Sequence, residues 1–259
     1  MKNALPFSDF MSYQHDAQFV PPFCNKPFPL MNMRPYITYL LPALGFLGQL
    51  FAGVAGAAEP FALIDEAQEP YVLTEAQYDT GFRQQAIRVT GTAGYASIPF
   101  TANLPQTASF TVEAFVKMDS PGTGSGIVAV RRGASSQDWQ LWCSKKGEVA
   151  FQAFSSSTSN AGSVVSVQHL ELGKWYHIAV SVEANLQASI YINGELDNKV
   201  ILKESVNTSA SSAIPIFVAG SGIEGRVFPG LVDDFRFSSG VISPNRLAEV
   251  KTLLAAKQQ

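Results

Sequence analysis

Cysteine and histidine are scarce in this chain. Cys24 and Cys143 are its two cysteines, and three histidines are spread over 259 residues. That excludes a disulfide-stapled scaffold and a zinc site built on Cys/His spacing. Basic charge is nowhere concentrated: the net charge is −3 and Lys and Arg form no long run or stripe, so neither nucleic acid nor an anionic lipid surface is expected as a partner. No internal repeat of roughly 20–50 residues is visible, which argues against a propeller or solenoid. Nucleophile-elbow and Ser-His-Asp arrangements are missing as well. The Gly-rich stretch 122–126 precedes a strand pattern, where a phosphate cradle would precede a helix.

What is present is apolar and aromatic. Hydrophobic residues make up 46% of the chain, with 18 Phe, enough for a sizeable globular core. The longest apolar run spans residues 36–58, follows Arg34, contains no acid and ends in Ala55-Gly56-Ala57. This is the layout of a secretory signal peptide. A membrane anchor is the rival reading, weakened by Pro42, Gly45, Gly48 and Gln49. The expected organisation is therefore a disordered upstream extension over 1–32, explained by an early start codon, a signal peptide over 33–57, a lead-in over 58–76 and one domain over 77–256. Cleavage would leave Cys143 alone, as a small buried hydrophobe.

Beyond residue 76 the pattern is that of strands. Residues 110–118 (FTVEAFVKM) alternate, with Phe110, Val112, Ala114, Val116 and Met118 on one face. Strands are also expected at 126–130, 139–144, 148–154, 175–183, 188–193, 214–219 and 230–237. Asn193-Gly194 predicts a type I′ hairpin turn, and Pro215 puts its strand at an edge or a strand start. Ser243 followed by Pro244 predicts a helix N-terminus, with Leu247, Val250, Leu253 and Leu254 at helical spacing. The fold class expected is all-β: a two-sheet antiparallel jelly-roll sandwich with a short C-terminal helix.

Four segments, in order, resemble the laminin G-like modules of the concanavalin A-like lectin/glucanase superfamily. They are AIRVTGTAGYASIP (86–99), SFTVEAFVKMDS (109–120), GKWYHIAVSVEANLQASIYINGEL (173–196) and PGLVDDFRFSSGVISPNRL (229–247). The resemblance covers about 77–250 and implies the jelly roll, with roles ranging from glycan binding and adhesion to passive appendage and, in some relatives, glycosidase activity. It also implies that one structural calcium ion could sit near the first and last strands, with Asp234 and the Asp79 region as ligands. One departure counts against that: residues 89–95 (VTGTAGY) lack the acids usual in the opening block.

For catalysis, glycosidases need two positioned carboxyl groups. Glu113 stands alone on its strand, Glu195 and Asp197 lie beyond a hairpin turn, and Asp233 and Asp234, being adjacent, should point to opposite faces. The chain is therefore expected not to be an enzyme. His177 reads as a half-buried sheet histidine that bonds backbone or a neighbour. Sugar stacking would fall to Trp142, Tyr95 and Phe115, with Gln137, Asp138 and the loop 155–163 lining the site. Arg131-Arg132 reads as a solvated strand end. The expected role is a secreted, periplasmic or cell-surface recognition module, of bacterial source, that binds a glycan or an extracellular protein. Membrane contact is expected only if the N-terminal segment is uncleaved. The alternatives are a glycoside hydrolase or lyase of this fold, and a structural appendage. Asn207-Thr208-Ser209 would be a glycosylation acceptor in a eukaryotic host.

Overall fold

The computed structural model describes residues 62–65, 71–83, 85–98, 109–122, 124–132, 137–156, 159–206 and 215–257. The extension, the signal segment and Asn207–Ser209 lie outside them. In chain order the strands are β1 (Ala62–Asp65), β2 (Val72–Thr74), β3 (Ala76–Thr80), β4 (Gln85–Val89), β5 (Tyr95–Ile98), β6 (Phe110–Met118), β7 (Gly126–Arg132), β8 (Gln137–Cys143), β9 (Glu148–Phe154), β10 (Asn160–His169), β11 (Trp175–Val182), β12 (Gln187–Ile192), β13 (Glu195–Ile201), β14 (Ile216–Val218) and β15 (Gly230–Ser239). The helix α1 (Pro244–Lys257) follows.

Two antiparallel sheets form. One has the order β13-β12-β11-β6-β15-β4-β3, with β1 also pairing β15; the other runs β10-β9-β8-β7-β14-β5-β2. The chain passes between sheets at β1 to β2, β2 to β3, β4 to β5, β5 to β6, β6 to β7, β10 to β11 and on either side of β14, which is the jelly-roll manner of closing a sandwich. The lead-in takes part: β2 pairs β5 and β1 pairs β15.

Alternation decides which side chains meet between the sheets. Phe110, Val112, Ala114, Val116 and Met118 of β6 all enter the core. Trp139, Leu141 and Cys143 of β8 and Val149, Phe151 and Ala153 of β9 face them. Trp139 stacks on Phe237, with ring centroids 5.9 Å apart. Cys143 is a free thiol, 1% exposed, and burial pushes its pKa up to about 12.

The Asn193-Gly194 turn has positive φ at both residues (55° and 80°), as a type I′ turn requires. Pro215 immediately precedes β14, which lies inside its sheet between β7 and β5, so the strand-start reading applies. Ser243 caps α1: its Oγ accepts a hydrogen bond from the Arg246 N–H at 3.2 Å. Strands β1, β2, β3, β10 and β13 exceed the sequence reading. Residues 160–163, the end of the stretch read as a loop, begin β10, and 195–201, read as lying beyond a hairpin turn, form β13.

Candidate functional site

The two outer faces of the sandwich differ. That of the β6-containing sheet is covered. Phe115 is fully buried there, stacked on Phe82 at 4.1 Å and met edge-on by His177; it has no free ring face, so it does not serve as a sugar platform. Lys257 of α1 donates to the Phe82 carbonyl at 2.9 Å. Beneath the helix, Glu113 accepts a 2.7 Å hydrogen bond from His177 Nε2 and 3.1–3.2 Å bonds from Arg246 Nε. Burial pushes the Glu113 carboxyl up. The bond from His177 and the charges of His177, Arg246 and Arg236 outweigh that and hold it below its ordinary value. His177 is fully buried, so this pair is sealed from any substrate.

Asp233 and Asp234 depart from the alternation expected of them. The register steps from Asp233↔Phe115 to Arg236↔Glu113, so Asp234 and Phe235 together oppose Ala114. Asp234 has φ 48°. This is a bulge with its first residue in the left-handed region, and it lets both carboxylates reach Arg83: Asp233 accepts the Arg83 N–H at 2.8 Å, and Asp234 the guanidinium at 3.2 Å. Burial raises the Asp233 pKa, against the N–H groups of Arg83, Asp234 and Phe82.

Asp234 is also held by Arg236 and Arg246. Three guanidinium groups around one carboxylate are a poor setting for a divalent cation, which needs several oxygen ligands. Asp79 is taken by Arg88 at 2.6 Å and by the Thr80 N–H. The calcium ligands expected from the sequence thus do not fit that ion in this arrangement. Among the described residues no group of three or more His, Cys, Asp or Glu is placed to hold a metal.

The outer face of the β8-containing sheet carries a different set. Strand register aligns one row across it: Val72, Ser97, Phe217, Val130, Gln140, Gln152 and Ser163. Gln137 Nε2 donates to Gln140 Oε1 at 3.0 Å, and Gln140 Nε2 to Gln152 Oε1 at 2.7 Å. Arg226, from the arm between β14 and β15, donates to the same Gln140 oxygen at 2.6 Å. Trp142 stands two residues from Gln140, on the same face, paired with Ile127 and Ala150. Its ring is half-buried, and its Nε1 is buried with no protein acceptor. Tyr95 is half-buried and packs edge-on against Phe217 at 4.7 Å. Trp142, Tyr95 and Gln137 thus belong to this face.

Asp138 does not line the face as expected. It is fully buried and ion-paired with Arg131 at 2.6 Å. Burial pushes its pKa up to about 6 despite that guanidinium. Arg131 is accordingly no solvated strand end. Gln140 and Gln152 were readable but missed: each is a polar residue between inward apolar ones, in WQL and FQA. Arg226 had no local signal, because only the fold brings its arm over the sheet.

The fold agrees with comparisons to known proteins. The family model described as the concanavalin A-like lectin/glucanases superfamily matches residues 90–248, and the chain belongs to that family. No curated protein sequence matches it. Among solved structures it is similar to domain 4 of AbnA, a GH43 extracellular arabinanase from Geobacillus stearothermophilus, in complex with arabinotriose (16% identity, 70% of this chain and 88% of that one, TM-score 0.51). It is also similar to the binding domain of Paraclostridial Mosquitocidal Protein 1 (12%, 73% and 47%, 0.51). A third similar structure is of botulinum neurotoxin type C, whose passage into the cell depends upon interaction with two ganglioside molecules (14%, 74% and 48%, 0.51). The chain spans about half of each of the two toxin chains. At these identities the likeness is one of fold.

Proposed function

We propose that this chain is a non-catalytic carbohydrate-recognition module that binds through the outer face of the β8-containing sheet. The observation that carries this is the row of hydrogen-bonded amides, Gln137, Gln140 and Gln152, set beside half-buried Trp142 and joined by Arg226. Amides and a guanidinium offer directed donors and acceptors to sugar hydroxyls, while an indole face suits the apolar side of a pyranose. The opposite outer face is occupied by α1 and the Phe82 segment. The similarity to an arabinotriose complex and to a ganglioside-dependent toxin supports the same class of ligand.

The buried acids support a role without chemistry. Glu113, Asp138 and Asp234 are engaged by arginine or histidine, and Asp233 by backbone N–H groups. Export of the domain, through the apolar segment 36–58 acting as a cleaved signal, belongs to the same proposal. Among the described residues no helix is long and apolar enough to cross a membrane. A glycan array probed with the full chain and with Trp142→Ala tests the reading: binding to at least one glycan, lost in the variant, is expected. Binding that survives Trp142→Ala would move the site elsewhere, and release of reducing ends from a bound polysaccharide would make the chain an enzyme. N-terminal sequencing of the secreted protein should begin near residue 58; a start that retains Cys24 would overturn the export part.

A further inference from the structure

The arginines among the described residues divide into two sets. Arg83, Arg88, Arg131, Arg236 and Arg246 each hold a carboxylate. Arg132 and Arg226 hold none among the described residues, and both lie at the amide cluster. Arg132 pairs with Gln137 across the β7–β8 ladder, and Arg226 donates to Gln140, which also accepts from Gln137. The acids nearest them in the chain make no ion pair with them. Asp138 is taken by Arg131, and Glu224, two residues from Arg226, is exposed and makes no ion pair with it.

From this juxtaposition we infer that the face takes an acidic sugar, whose carboxylate or sulfate seats between Arg132 and Arg226 while its ring lies against Trp142. The inference rests on the glycan-binding reading above and names the class of glycan. Both side chains are half-buried. Burial lowers the pKa of each, and the charge of Arg132 lowers that of Arg226 further. Two like charges held together out of full solvation form a site that an anion relieves. Guanidinium has five donors in a fixed plane and meets carboxylate or sulfate oxygens in a fork. The Gln140 bond uses one donor of Arg226 and fixes its orientation. The chain as a whole is acidic, with net charge −3, so attraction for polyanions in general does not explain the arrangement.

The test is calorimetric titration of the full chain with trigalacturonate for a carboxylate source, a heparin-derived tetrasaccharide for a sulfate source, neutral arabinotriose and xylotriose, and a polyglutamate peptide. An acidic sugar should bind at least about tenfold more tightly than the neutral ones, and Arg132→Gln and Arg226→Gln should each weaken it by about tenfold. Which of the two acidic sugars binds identifies the anion. Arg88→Gln, which removes an equal charge from the other sheet, should leave binding unchanged. Neutral sugars bound as tightly, with no effect of Arg132→Gln or Arg226→Gln, would overturn the acidic preference and leave the glycan reading standing. Polyglutamate bound equally and lost in the same variants would keep the anion site and remove the sugar. Binding to none of the sugars or the peptide would remove both. Should a variant fail to melt like the parent, added NaCl decides on the unaltered chain: affinity for the acidic sugar falls with salt, and a flat response overturns the inference.

Discussion

Asp234 has a left-handed backbone at the bulge and a carboxylate among three guanidinium groups. Two substitutions separate these roles. Asp234→Gly and Asp234→Ala lose the same ion pairs, but alanine must also adopt positive φ, so it should be less stable than the glycine variant by about 1 kcal/mol in urea unfolding. Asp138 sets a pH dependence. Its folded pKa of about 6 lies above its ordinary 3.8, so the folded state holds the proton more tightly. The stability this contributes is full below the ordinary value and is lost as pH rises through about 6. Relative to Asp138→Asn, the parent should therefore lose about 3 kcal/mol between pH values on either side of that window, measured by denaturation at each pH. Glu113 acts with the opposite sign: its pKa is held down, so its contribution is lost as the medium turns acid.

At the level of elements, plain alternation was legible and interruptions of it were not. The strands β6, β9 and β11 show their inward faces directly in the sequence, and Ser243-Pro244 announces α1. The bulge at Asp234 was hidden because its cause is positional: two residues oppose one across the ladder. The network of Glu113, His177 and Arg246 joins residues far apart in the chain. The face of the candidate site was half legible, with Trp142 read from strand parity, Tyr95 named as a further aromatic and Arg226 unreadable. The strand β13 was missed because its residues are largely exposed and polar. Its role is to close an edge: Asp197 accepts the N–H groups of Val167 and Gln168 at 2.6 and 2.9 Å, and Asn198 donates to the Val165 carbonyl. Exposed Val165 and Val167 lie on that edge strand. Asp197→Ala frees two strand N–H groups beside them and should promote concentration-dependent self-association in light scattering. Ser243→Ala should cost about 1 kcal/mol through loss of the cap on α1, read as a fall in unfolding free energy.

For the molecule as a whole, the sandwich has one outer face closed by its own C-terminus and another carrying amides, arginines and aromatics. Among the described residues the core joining the two sheets contains a single thiol, that of Cys143. Its burial and raised pKa make it inert to reagents that attack thiolate, so it responds only when the sheets part. In a chain with Cys24 replaced by serine, labelling should be far slower than for an unfolded control. At high reagent concentration it should level off at a rate that no longer depends on reagent; prompt labelling at the rate of a free thiol would contradict the core described here. Cys143 thereby works as a stopwatch placed between the sheets: thiol labelling there records how often the closed sandwich opens, with no substitution on the face proposed to meet a ligand.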